Sequence, residues 1–328
     1  MLRIKKGINL GGWLSQCEYN YSHYDSFITK NDFLKIRDYG FDHIRLPIDY
    51  NVILNDDDTL NERGLDYINN AILWCKENNL AIVLDLHKTK GYFFGNVDNN
   101  FFENKDSQNI FYKIWQELAI RYSNQENIYF ELLNEVVNKD DIASWNSIAT
   151  NCIRKIREIS NNVPIIVGSY WYNHVKTLND LDVPIDENII FSFHFYEPHI
   201  FTHQGAFWMP KMDPNFRTKF ILSYGEYDQL TKKYIGEEGH DFKDFYFNDK
   251  MSLEYFETQI EQAIKVSQEK NVQLYCGEYG VIDRADIDEA KKWFSMTQKI
   301  FDKYNISRAL WTYKDYNFEF KKDFLPYI

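Results

Sequence analysis

Short apolar, β-branched runs alternate with amphipathic stretches along almost the whole chain. The runs open near Gly7, His43, Leu80, Ile128, Pro164, Ile189, Leu274 and Arg308, and each has the length of a strand buried on both faces. Between them, apolar residues recur at helical spacing. The sets are Leu65, Ile68, Ile72 and Cys75; Phe111, Ile114, Trp115, Leu118 and Tyr122; and Trp145, Ile148, Cys152, Ile156 and Ile159. Two more follow, Leu253, Phe256, Ile260 and Ile264, then Ala290, Phe294, Thr297 and Phe301. Each set lies on one helix face and should pack on the sheet. An earlier helix opens with the capping pattern Thr29-x-x-Asp32 and stops at Gly40, a residue suited to the left-handed turn that follows a helix. Eight strands alternating with helices predict βα units around a parallel sheet. A chain of 328 residues suits a single α/β domain, residues 1–328, built as a (β/α)8 TIM barrel with an insertion.

The step from Ile189 to Leu274 is far longer than the roughly 30 residues an ordinary βα unit needs. The excess falls at residues 197–250, between strand six and helix six. This segment is rich in Phe, Tyr, Asp and Lys, contains Pro198, Pro210 and Pro214, and has no sustained period. It reads as a subdomain over the C-terminal face, where such barrels keep their active sites.

Composition narrows the chemistry. Hydrophobic residues make up 44% of the chain and aromatics 17%, enough for a large core and for aromatic walls to a cleft. A net charge of -12 would repel the phosphates of nucleic acid and of anionic lipid, so neither is an expected partner. No run approaches the roughly 20 apolar residues of a membrane span. The N-terminus as written shows no secretion signal, which predicts a cytoplasmic protein, or a secreted one if a leader has been trimmed away. Cys17, Cys75, Cys152 and Cys276 are widely spaced and predict neither a zinc knuckle nor a disulfide framework.

In a (β/α)8 barrel, polar residues at the carboxyl ends of strands face one shared basin. Here those ends carry Arg45, then Asp85-Leu86-His87, Asn134-Glu135, His194-Phe195-Tyr196, Gly277-Glu278 and Trp311. Two carboxylates facing each other across such a basin are what hydrolysis of a glycosidic bond requires: one protonates the leaving oxygen while the other attacks or stabilises the anomeric carbon. Glu135 and Glu278, on strands four and seven, are the obvious pair.

The chain resembles glycoside hydrolase family 5, the large group of retaining β-glycanases on (β/α)8 barrels. The resemblance rests on Gly7-Ile8-Asn9-Leu10-Gly11-Gly12-Trp13, His43-Ile44-Arg45-Leu46-Pro47, Leu84-Asp85-Leu86-His87, Phe130-Glu131-Leu132-Leu133-Asn134-Glu135, Phe193-His194-Phe195-Tyr196, Tyr275-Cys276-Gly277-Glu278-Tyr279-Gly280 and Ala309-Leu310-Trp311. It implies that Glu135 is the acid/base and Glu278 the nucleophile of a double displacement. Arg45 and the Tyr196 hydroxyl are then expected to lower the pKa of Glu278, while partial burial keeps Glu135 protonated. Asn134 would bind the sugar 2-hydroxyl, His87 and His194 would hold hydroxyls or tune Glu135, and Trp311 would floor the cleavage point. No cofactor and no metal are implied. Trp171, Trp208 and Phe94 are expected near predicted loops as stacking surfaces, and His203 as a loop-ordering or sugar-contacting group. His199 and His203 have the spacing of a metal pair on a helix, but Pro198 precedes them. Trp13, Trp74, Trp115, Trp145 and Trp293 read as core.

The sequence departs from the family pattern after the acid/base, where Val136 replaces a frequent Pro, and after His87, where Lys88-Thr89-Lys90-Gly91 stands. The pattern is most similar to clostridial endoglucanases, which implies a retaining endo-β-glucanase acting on β-1,4 or mixed β-1,3-1,4 glucan, with β-linked glucose oligosaccharide or polysaccharide as its partner. Asn9-Leu10-Gly11-Gly12-Trp13 and Phe201-Thr202-His203-Gln204-Gly205 are shared with exo-acting β-1,3-glucanases, so an exo-β-1,3-glucanase or β-glucosidase is the alternative. A mannan- or xyloglucan-active enzyme is a further one, and a catalytically silent carbohydrate-binding barrel is the alternative of another class, disfavoured because both glutamates are present.

Overall fold

The computed structural model describes residues 3–96, 98–236 and 242–328. Eight parallel strands close into a ring in chain order: β1 (Lys6–Asn9), β2 (His43–Asp49), β3 (Ala81–Lys88), β4 (Ile128–Glu131), β5 (Ile165–Gly168), β6 (Ile189–Phe195), β7 (Gln273–Tyr279) and β8 (Ser307–Leu310). β1 pairs with both β2 and β8, which leaves no free edge. Each strand opens within one residue of the position its apolar run predicts, because a strand buried on both faces is apolar throughout.

The helices Lys30–Asp38, Glu62–Glu77, Lys105–Tyr122, Ile142–Arg157, Leu253–Lys270 and Ile287–Lys303 surround the ring. Their caps are chemical. Asp32 accepts from the Thr29 N–H, Asn104 from the N–H groups of Asp106 and Ser107, and Asp286 from those of Asp288 and Glu289. Gly40 takes φ +86°, the left-handed turn expected of it. Between β5 and β6 the connection is the 3-10 segment Val175–Asp180. No amphipathic run marks that stretch, and the Lys270 ammonium donates to the Leu181 carbonyl at 3.0 Å to tie it to the neighbouring helix.

Barrel filling is layered. At the bottom, Ile4, Ala81, Val83, Tyr129, Ile166, Ile190, Tyr275 and Ala309 form an apolar plug. His43 lies in the ring and needs the space at Gly7, where a Cβ would fall 2.2 Å from its Nε2. Above these residues the interior becomes polar, with Asn9, Arg45, Asp85, Glu131 and Ser192 all buried. Outside the ring, Trp115, Trp145 and Trp293 are fully buried, and their indole N–H groups donate to the carbonyls of Leu132, Gly168 and Glu197. Helices are thereby fastened to the strand ends on which a site would stand. Trp13 is also buried, while Trp74 is half-buried. Cys75, Cys152 and Cys276 are buried, and Cys17 is half-buried.

The segment 197–250 contains the short helix His199–Thr202 and the helix Tyr224–Tyr234, capped by Ser223 and Glu226. Residues 237–241 within it lie outside the described residues. Phe242 stacks on Tyr227 and Tyr255 at centroid distances of 5.2 and 5.3 Å, which packs the segment against the helix Leu253–Lys270.

Candidate active site

Arg45 lies within β2, not at its end, and its buried guanidinium is the hub of the upper barrel. Nε donates to Glu131 Oε2 at 2.7 Å, Nη1 to Glu278 Oε1 at 2.8 Å and to Asn9 Oδ1 at 3.0 Å, and Nη2 to Asn134 Oδ1 at 2.9 Å. Nη2 is also 3.0 Å from Asp85 Oδ2. One cation therefore meets three carboxylates. Burial disfavours the charged form of each, and it pushes Asp85 up to about 7 against the pull of Arg45. Burial also raises Glu131.

Glu278 stands near the end of β7, and Glu135 lies four residues beyond β4. One oxygen of each lies within 4.8 Å of the other and of a His194 ring nitrogen. His194 Nδ1 is 2.7 Å from Glu135 Oε1 and 3.7 Å from Glu278 Oε2, and the Tyr196 hydroxyl donates to Glu278 Oε2 at 3.0 Å. Burial, then the nearby Glu278 charge, holds Glu135 well above the usual carboxylate range. The expectation for Glu278 needs correction. Arg45 and Tyr196 do favour its ionised form, but burial outweighs them and its pKa is raised, not lowered. The two still differ in kind, because Glu278 has the direct cation contact and Glu135 does not. Burial also holds His194 well below 6.5 and lowers His87 to about 4, so both imidazoles are neutral near pH 7.

The loop carrying Glu135 is held from both sides. The Tyr92 hydroxyl donates to the Glu135 carbonyl at 2.7 Å and accepts from the Val137 N–H at 2.9 Å. On the other side, the N–H groups of Trp171 and Tyr172 donate to the carbonyls of Val137 and Val136. Trp171, Tyr172 and Asn173 make this contact from left-handed backbone, φ 53°, 58° and 54°.

Arg45, Glu135, Glu278, Asn134, His194 and Tyr196 thus converge. His87 joins them from the β3 side: Nδ1 is 2.7 Å from Asp85, Nε2 is 2.7 Å from the Gln16 amide, and the ring stacks on Trp311 at 5.7 Å. Phe94 meets His87 edge-on at 5.5 Å. His203 contacts the Tyr196 ring at 5.1 Å, with Trp208 edge-on beyond it at 6.4 Å. Trp171 stacks on His174, whose Nε2 is 3.1 Å from Glu197. Trp171 and Trp208 are 43% and 44% exposed, so neither is core. His199 and His203 lie face to face at 4.9 Å, and His199 Nδ1 is 3.1 Å from Glu197. Among the described residues, the close cluster of metal-ligating types is Glu135, His194 and Glu278 itself. Sequence reasoning left out Glu131, Asn9, Gln16 and Tyr92. Glu131 and Asn9 carried a signal, since each is the polar residue that ends its strand.

Comparison with known proteins identifies the family. The family model for cellulase (glycosyl hydrolase family 5) matches residues 6–317. Cellodextrinase A of Ruminococcus flavefaciens is 42% identical over 308 residues, covering 93% of this chain and 84% of its own. Endoglucanase C of Acetivibrio thermocellus is 39% identical over 327 residues, covering 97% and 94%. Among solved structures, the Clostridial cellulose synthase subunit Z from Clostridioides difficile superposes with TM-score 0.77 at 24% identity, covering 99% of each chain. Thermotoga maritima Cel5A in complex with mannotriose gives 0.75 at 23%, covering 98% and 96%. These two likenesses speak to the fold. The family match runs from β1 past β8, and both relatives share well over 30% of their residues with nearly the whole chain, so this protein belongs to glycosyl hydrolase family 5, the cellulases, and is a glycoside hydrolase.

Proposed function

We propose that this enzyme is a retaining endo-β-glucanase of the cellulase type, cutting β-1,4 or mixed β-1,3-1,4 glucan by double displacement. The observation that carries the reading is the carboxylate pair. One oxygen of Glu135 lies within 4.8 Å of one of Glu278, which is nearer to the separation of about 5 to 5.5 Å that retaining enzymes use than to the roughly 6.5 to 9.5 Å of inverting ones and supports the retaining reading. The names of the relatives, a cellodextrinase and an endoglucanase, support β-linked glucan as the substrate class.

In this reading Glu278 attacks the anomeric carbon while Glu135 gives its proton to the departing glycosidic oxygen, so the C–O bond breaks as a glycosyl ester forms. Water then attacks the same anomeric carbon and gives a proton to Glu135, while the bond to Glu278 breaks and frees its carboxylate. Asn134 is oriented by its Oδ1 contact with Arg45, and its buried Nδ2, which has no partner, is the donor for the 2-hydroxyl. Trp311 floors the ring. His203 and Trp208 extend the wall past Tyr196, which supports reading 197–250 as a subdomain bordering the cleft. The proposed reaction needs no cofactor.

Glu135→Gln and Glu278→Gln separate the roles. Both should lose about 10²–10⁴-fold on oligosaccharides. With an aryl leaving group that needs no protonation, Glu135→Gln should recover much of its first-step rate and Glu278→Gln none. Equal losses on both substrates would overturn the assignment. Early mixed oligosaccharides from polymer support endo attack, whereas glucose alone would favour the exo alternative.

A further inference from the structure

The residues after His87 raise a question that the catalytic pair does not answer. Lys90 has a clear structural task, since its ammonium lies 2.6 Å from both oxygens of Asp58. Lys88 has no carboxylate partner among the described residues. Its ammonium instead lies over three aromatic rings, 5.4 Å from the centroid of Tyr19, 5.7 Å from Phe93 and 5.9 Å from Tyr50.

This box connects to the reacting centre through touching rings. Phe93 lies 4.6 Å from Phe94, Phe94 meets His87 at 5.5 Å, and His87 stacks on Trp311. On the other wall, the Tyr19 hydroxyl and the Gln16 N–H both donate to Asp49, and the Gln16 side chain reaches His87. Lys88 directly follows His87 on β3, and this line of rings leads from its side chain back to Trp311, a wall along which successive sugars of a bound chain would lie.

We propose that Lys88, Tyr19 and Phe93 form a sugar subsite remote from the cleaved bond, on the rim made by the loops after β1, β2 and β3, and that Lys88 sets a preference for neutral chains long enough to reach it. This rests on the reading of Glu135 and Glu278 given above. The ligand class follows from charge. Aromatic faces already supply the ammonium with negative potential, and the whole chain carries -12. An anionic sugar would gain little there. The ammonium keeps three donors for hydroxyls, and the Tyr19 ring, 45% exposed, offers a flat apolar face to a pyranose.

The test compares wild type, Lys88→Met and Lys88→Arg on cello-oligosaccharides of increasing length and on a short aryl β-glycoside. Lys88→Met should leave the short substrate unchanged. It should lower kcat/KM about 5–10-fold beyond a threshold length, chiefly through KM, as loss of one hydrogen bond that does not strengthen in the transition state would do. Arginine should restore most of the loss. An equal loss at every length, no loss at any length, or a loss confined to carboxymethylated chains would overturn the proposal. Affinity of the same series for Glu278→Gln, with and without Lys88→Met, reads the subsite without turnover. A length-dependent loss of binding there upholds the subsite even if hydrolysis of these substrates fails and the functional reading with it.

Discussion

The hydroxyl of Tyr196 acts on one of two neighbouring carboxyls. It donates to Glu278 and so favours the ionised form that burial disfavours. Tyr196→Phe should therefore raise the Glu278 pKa. The acid limb of the kcat/KM–pH profile moves to higher pH, activity on that limb falls about 5–10-fold, and the alkaline limb, set by Glu135, stays where it is. Movement of the alkaline limb alone would assign the carboxyls the other way round. Arg45 is a second case. Arg45→Met leaves Asp85, Glu131 and Glu278 buried together without their cation, and a loss of about 3–5 kcal/mol in chemical denaturation is expected, together with loss of activity. Catalytic candidates were legible in the sequence because they are polar residues in or just after apolar strand runs, near the barrel face that carries active sites. Asn9, Asp85 and Glu131 were not assigned roles because a buried network and a catalytic group look alike until the distances are known. The sign of the Glu278 shift was misjudged for a related reason: a sequence names the neighbours of a group, whereas the depth of burial belongs to the closed barrel.

Elements were more legible than their joints. All eight strands and six helices follow the periodicity, because burial on one face or two imposes period and length directly. The 3-10 segment Val175–Asp180 and the left-handed run Trp171–Asn173 left no such trace, since their shape comes from contacts with Val136, Val137 and the neighbouring helix. Caps, by contrast, are local chemistry. Asp286→Ala removes the acceptor for two N–H groups at the start of Ile287–Lys303, so thermal unfolding should come about 2 °C earlier, for a loss of about 1 kcal/mol. Turnover should not change, because that helix is anchored to the site through Trp293 and not through its first turn.

For the whole molecule, the charge of -12 is a field felt before any contact. On neutral oligosaccharides kcat/KM should be flat between about 0.05 and 0.5 M salt, whereas a carboxymethylated glucan should be cut more slowly at low salt and recover as screening shortens the range below about 10 Å. Salt dependence on the neutral substrate would show that charge enters recognition directly.

The ring also joins its first strand to its eighth, since Lys6 pairs with Arg308 and Ile8 with Leu310. During synthesis, β1 emerges first and must wait for β8 before its second neighbour exists. Until then the nascent sheet has two raw edges, β1 and β7, and Glu278 stands on one of them. Asn9, whose side chain bonds both Arg45 and the β8 carbonyls of Ala309 and Leu310, has only half its partners. The reacting centre is therefore complete only once β8 has closed the ring on β1, and a nascent chain stalled shortly before β8 is expected to be inactive although both glutamates are already made.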